Sequence, residues 1–127
     1  VQIIEPSFFL IFFLLKRYEY IYMPILIYFG NSDRKDKRYV AVFANPKKTT
    51  HFGMKPFKKG TTYIDGATDE KRKQYLARHA VDLKTKDPLR AGYLSYYVLW
   101  GKSRSVKQNL KSYLSNFNIK DNRKNKD

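Results

Sequence analysis

Two histidines and three carboxylates, His51, His79, Asp65, Asp69 and Glu70, are the residues of this chain whose types could make and break bonds. Gathered into one site they would form a nuclease-like centre, with a histidine as general base and the acids holding a divalent cation. Their spacing argues against that centre. Metal chemistry of this kind favours patterns such as two histidines one helical turn apart, whereas Asp69 and Glu70 stand where a helix dipole alone would put acids. His79 suits the C-terminal end of the same helix, and His51 suits a sheet position against an aromatic ring. The chain has no cysteine, so thiolate zinc sites and disulfide-stapled folds are excluded. The expectation is a protein that is not an enzyme, with no catalytic residue, no metal and no cofactor.

Charge points elsewhere. Twenty-six Lys and Arg against eleven Asp and Glu give a formal net charge of +15, and a chain so far from neutral repels itself unless it meets a polyanion. Nucleic acid is the expected partner, bound through phosphates in a salt-sensitive and largely sequence-indifferent way. The residues expected to make those contacts are Arg38, Lys48, Lys55, Lys58, Lys59, Arg72 and Arg78, with His51 as a hydrogen-bond donor. Tyr39, Phe43, Phe52 or Phe57 would add stacking on unpaired bases. The alternative is a structural protein that bridges acidic partners, since aromatics make up 17% of the chain and tyrosine and tryptophan supply interface area.

The elements that must carry these residues read as α+β: a small antiparallel sheet of two or three strands, followed by three helices. Pro24 to Phe29 is a β-branched and aromatic run closed by the turn formers Gly30 to Asp33. From Arg38 to Ala44 a period of two puts Val40 and Val42 on one face and Tyr39, Ala41 and Phe43 on the other. Asn45 to Lys48 then turns the chain into a return strand from Thr49 to Gly53, which sets His51 opposite Thr50 and Phe52. Thr68 caps a helix with acids in its first turn, running to about His79, on which Arg72, Tyr75, Leu76 and His79 recur at spacings of three and four. Asp87 as cap and Pro88 as first residue start a second helix that ends at Gly101 and carries the aromatic stripe Tyr93, Tyr96, Tyr97 and Trp100. On that helix Gly92 marks the close approach of another backbone. Ser103 or Ser105 caps a third, with Val106, Leu110, Tyr113, Leu114 and Phe117 on one side.

These elements fit one domain over residues 23–117, followed by a disordered basic tail over 118–127. Residues 1–22 form an apolar extension of different character. Its apolar block, Phe8 to Leu15, is too short to span a bilayer, and its basic pair follows the block where a signal peptide would place it ahead. The extension reads as sequence upstream of a true start at Met23 or as a weak membrane anchor.

Several elements carry a resemblance in a fixed order: His51-Phe52-Gly53, Thr62-Tyr63-Ile64-Asp65, Asp69-Glu70-Lys71-Arg72, Tyr75-Leu76-Ala77-Arg78-His79, Asp87-Pro88, Ala91-Gly92-Tyr93-Leu94-Ser95 and Val98-Leu99-Trp100-Gly101. From about Lys37 to Phe117 the chain resembles a family of short uncharacterised proteins encoded by large nucleocytoplasmic DNA viruses. The resemblance implies a viral origin and a shared fold but no mechanism. It also implies a place in the virion or in the host cytoplasm, at the viral factory, and not secretion, with a virion or capsid protein as the alternative partner. Members of that family often carry His-Lys-Asp ahead of the basic helix, where this chain has Gly66-Ala67-Thr68-Asp69.

Overall fold

A computed structural model describes residues 23–124 together with Leu10, Ile11 and Leu14, which are helical and exposed. The rest of the apolar extension and residues 125–127 lie outside the described residues, so the alternatives of an upstream segment and an anchor fall there. No helix among the described residues is long and apolar enough to cross a membrane.

Three strands follow one another: β1 (Ile25–Asn31), β2 (Lys37–Ala44) and β3 (Lys48–Met54). Branched and aromatic side chains suit the pleated, half-buried surface of such strands. The β2–β3 hairpin pairs Val40 with His51 and Ala41 with Thr50, as the alternation requires. β1 pairs antiparallel with β2 through a register shift between Leu26 and Tyr28. That bulge adds a residue to β1, and both Leu26 and Phe29 pack into or against the core while Ile27 and Tyr28 stay exposed. A fourth strand, β4 (Lys120–Asp121), completes a sheet in the order β3-β2-β1-β4.

β4 runs parallel to β1, so the sheet is mixed and four-stranded rather than antiparallel with two or three strands. Its residues fall in the segment expected to be a disordered tail. Burial of Ile119, 5% exposed, pulls the chain back to the sheet, where Lys120 N–H donates to the Pro24 carbonyl at 2.9 Å. A two-residue strand has no periodicity to read, and its partner lies at the other end of the domain.

The helical layer begins with α1 (Asp69–His79), whose cap Thr68 accepts a hydrogen bond from Lys71 N–H at 3.1 Å. A 3-10 segment, Ala80–Thr85, continues it and ends where Lys86 takes a left-handed conformation. The second helix departs from expectation. The Asp87 carboxylate accepts from Leu89 N–H at 3.1 Å and the Asp87 carbonyl from Arg90 N–H at 3.2 Å, which folds residues 87–90 into a turn. Side-chain bonding of this kind competes with helix initiation, and α2 starts only at Ala91 (Ala91–Leu94). It then widens into a π-helical turn, Ser95–Leu99, closed by Trp100 N–H on the Ser95 carbonyl. Gly92 packs against the Asp82 side chain, to which an added Cβ would come within 3.0 Å, so the neighbour is a side chain and not a backbone. α3 (Val106–Asn116) is capped by Ser105, which accepts from Gln108 N–H.

One face of the sheet supplies Leu26, Ala41, Phe43 and Phe52, and the helical layer meets them with Leu94, Val98, Leu99, Leu110, Tyr113 and Leu114. These two layers enclose the hydrophobic core and set the frame on which the polar residues are hung.

Candidate functional site

The tertiary structure scatters the residues that could have formed a nuclease centre. Asp65 is taken by Arg38, and Asp69 accepts from the Tyr63 hydroxyl at 2.8 Å. His79 sits on Tyr75, ring centroids 4.1 Å apart, with its Nδ1 3.1 Å from Asp82. His51 Nδ1 lies 2.7 Å from the Ser32 hydroxyl, across the turn that joins β1 to β2. Among the described residues no group of three or more histidines and carboxylates could hold a metal ion. A serine hydroxyl on a histidine nitrogen has the shape of a nucleophile and its base. Here, however, Ser32 is 6% exposed and its oxygen also accepts from Arg34 N–H at 3.1 Å, so the contact fastens a turn.

The residues expected to contact phosphate divide into two sets. Arg38 is buried, and its guanidinium donates twice to Asp65, at 2.7 and 2.8 Å. Burial alone would push the Asp65 carboxyl up, but the hydrogen bonds from Arg38 and Thr62 outweigh it and hold the group below the ordinary aspartate value. Arg72 donates its Nε–H to the carbonyls of Trp100 and Gly101, at 3.0 and 3.1 Å, tying α1 to the end of the π turn. Both arginines are thus engaged within the fold, Arg38 through both terminal nitrogens of its guanidinium fork and Arg72 through its Nε–H. Arg72 carried a warning, since it shares the inward spacing of Tyr75 and Leu76; Arg38 carried none, because Asp65 is distant in sequence.

Lys48 pairs with Asp87 at 3.3 Å, and Lys55 reaches the Ser32 carbonyl at 3.4 Å. Lys58, Lys59 and Arg78 are exposed, and the Arg78 charge acts on the Tyr75 hydroxyl. The turn that presents Lys58 and Lys59 is itself pinned. Lys58 N–H donates to Thr61 Oγ1 at 2.9 Å, Thr61 N–H to the Lys58 carbonyl at 3.1 Å, and Gly60 N–H to the Asp65 carbonyl at 2.8 Å.

A wider regularity emerges. Five of the carboxylates among the described residues pair with arginines: Asp36 with Arg34, Asp65 with Arg38, Asp69 with Arg104, Asp121 with Arg123, and Asp87 with Arg90 and Lys48, while Asp82 pairs with His79. Arg104, which the sequence reading passed over, also donates to the Tyr63 and Ala67 carbonyls at 3.0 and 2.8 Å. Its fork geometry suits this bridging role, whereas lysine is a mobile point charge. The unneutralised charge therefore sits mostly on lysines at the solvent surface, together with exposed Arg78.

The stacking aromatics need correction as well. Phe43 and Phe52 are fully buried, and Tyr39 is stacked on Phe29 at 5.3 Å. Phe57 is 45% exposed, but the Arg38 guanidinium lies 3.4 Å from its ring centre and covers one face. A pocket of mixed polar and apolar lining lies between α1, the π turn and α3, which the sequence does not signal. Tyr96, Tyr97, Gln108 and Ser112 line it together with Arg72 and Lys102. No local signal in the sequence marks a π turn, and the pocket depends on it.

Comparison with known proteins adds one match: a family of unknown function (DUF5754) matches residues 27–79, from β1 to the end of α1. The later elements of the resemblance, from Asp87-Pro88 to Trp100-Gly101, lie beyond the matched residues. No curated protein and no solved structure matches the chain. What the chain is similar to over these residues is thus a domain of unknown function, which covers three of the four strands and the first helix.

Proposed function

We propose that this is a small basic binding protein that holds nucleic acid through its phosphates, without catalysis and without reading bases. One observation supports the proposal: most ion pairs among the described residues join an acid to an arginine, and Lys48 is the one lysine in them, so most lysine charge stays uncompensated at the surface. A phosphate backbone is the polyanion that such a surface fits, because each lysine that meets a phosphate releases a condensed counterion. Lys58 and Lys59 on their pinned turn, with Lys55 beside them and Arg78 on α1, are the principal contacts. Lys48, paired with an acid, and His51, bonded to the Ser32 hydroxyl, are secondary. On the strength of the resemblance, the protein comes from a large DNA virus and acts in the virion or in the host cytoplasm.

The test is a salt titration of binding to a duplex oligonucleotide. The logarithm of affinity should fall linearly with the logarithm of salt, by about 0.9 per phosphate neutralised. Tight association with an acidic protein that ignores salt would replace this reading with that of a bridging structural component, a role that exposed Met54 and Phe57 beside the lysines would suit.

A further inference from the structure

The pocket between α1, the π turn and α3 has a volume of about 500 Å³, within the usual range for small-molecule sites. π turns shift side chains by one residue and recur at functional sites. Here the turn brings Tyr96 and Tyr97 side by side on one wall, ring centroids 5.0 Å apart. Phe117 supports Tyr97 edge-on at 5.0 Å and Tyr93 lies 6.2 Å away, so Tyr97 is a braced ring, with the Tyr96 ring tilted 56° to it. Burial, and then the neighbouring tyrosines, push the Tyr97 hydroxyl above the usual tyrosine value and keep it a donor.

Gln108, Ser112 and Asn116 of α3 also line the pocket, with Lys102, and Gln108 Oε1 accepts from the Ser103 hydroxyl at 2.9 Å. Arg72 lines the α1 side, with its Nε–H held by the Trp100 and Gly101 carbonyls and its guanidinium over the Tyr63 ring, 5.4 Å from the ring centre. No carboxylate lines the pocket, so it suits an anion and not a cation. The floor is set by Asn109, whose amide donates to the Val98 and Ser103 carbonyls at 2.9 and 2.6 Å. A braced aromatic ring, amide and hydroxyl groups and two cations around one pocket match a heterocyclic base carrying a phosphate.

We infer that this pocket binds a single nucleotide, with its base on Tyr96 and Tyr97, its edge on Gln108, Ser112 and Asn116, and its phosphate on Arg72 and Lys102. The site goes beyond surface contact with a phosphate backbone, since it grips one unit and needs none of the lysines of the 55–59 loop. That unit is either a free mononucleotide or one unpaired nucleotide of a strand.

The experiment is titration of the full chain with adenosine monophosphate, uridine monophosphate and the parent nucleosides, followed by amide resonances in the NMR spectrum. Shifts confined to residues 96–116 and α1 are expected. Ser112→Trp, an exposed position, should fill the pocket and weaken nucleotide binding tenfold or more while leaving heparin affinity unchanged. Lys102→Glu should weaken the monophosphates and spare the nucleosides. A single-stranded oligonucleotide lacking terminal phosphates assigns the source: competition with the mononucleotide means a strand, and no competition means a free nucleotide. The inference is overturned if millimolar mononucleotide leaves those resonances unmoved, or if Ser112→Trp binds it as the parent does. Loss of heparin binding with the nucleotide shifts intact would sink the surface reading alone.

Discussion

Arg38 and Asp65 form a two-pronged ion pair, 2.7 and 2.8 Å long, that fastens β2 to the loop ahead of α1, with both side chains under 10% exposed. Thr62 adds its hydroxyl to the same carboxylate at 2.6 Å, and Phe57 lies flat against the guanidinium. Breaking such a pair by removing one partner leaves an uncompensated buried charge, so Asp65→Ala should destabilise the fold by about 3–5 kcal/mol. Urea unfolding checks this, and Arg38→Met with Asp65→Leu should recover much of the loss.

The same pair sets the acid limit. Asp65 is held below the ordinary aspartate value, so it contributes stability that is fully present above its unfolded pKa of about 3.9 and is lost as pH falls through the lower folded value. Stability of the parent should therefore drop below about pH 4, and the drop should be shallower in the Met/Leu double variant. Circular dichroism against pH measures both.

Alkali acts on Tyr75. Burial first, and then the Asp82 charge, push its hydroxyl to about 12. A phenol raised in the fold contributes stability that is complete below its unfolded pKa of about 10 and is lost as pH rises through the folded value. Tyr75 lies parallel to Trp100, ring centroids 4.3 Å apart, so tryptophan fluorescence reports the transition. Tyr75→Phe should flatten the alkaline loss between about pH 10 and 12.

Gly101 and Gly66 separate crowding from conformation. A Cβ on Gly101 would meet Asn109 Cγ at 2.6 Å and run into the Tyr97 carbonyl, in a site that cannot yield without breaking the floor of the pocket. Gly101→Ala should cost about 1–3 kcal/mol through overpacking. Gly66 has open space but a φ of +98°, so Gly66→Ala should cost about 1–2 kcal/mol through its backbone alone. Melting temperatures of the two variants test the ranking, and only Gly101→Ala should disturb the Tyr97 resonances.

Lysine and arginine should behave differently in binding. Replacing Lys58 and Lys59 by Ala removes exposed charge, so the salt slope of nucleic-acid affinity should fall by about 0.9 for each phosphate lost while stability stays unchanged. Arg78→Ala should act in the same direction. Arg72→Ala should instead lower the melting temperature, because its Nε–H holds the carbonyls of Trp100 and Gly101. Equal salt slopes for the parent and the Lys58/Lys59 variant would remove that loop from the interface.

Local signals made part of this fold legible. The period of two in Arg38 to Ala44 and the cap chemistry of Thr68 foretold β2 and α1, because strand alternation and helix capping involve neighbours in sequence. Asp87-Pro88 misled, since the carboxylate bonded to Leu89 N–H and made a turn where a helix start was expected. The aromatic stripe was legible from its spacing, but the π turn over Ser95–Leu99 that carries Tyr96 and Tyr97 was not.

Composition by itself determined that this chain is strongly cationic and has no thiol chemistry. Which cations remain free was decided only in three dimensions, where Asp65 met Arg38 and the Trp100 and Gly101 carbonyls met Arg72. The reason is physical: net charge is a sum over residues, whereas an ion pair depends on which groups the packed core brings within reach. β4 followed the same rule, since burial of Ile119 and not any strand pattern carried Lys120 and Asp121 to β1.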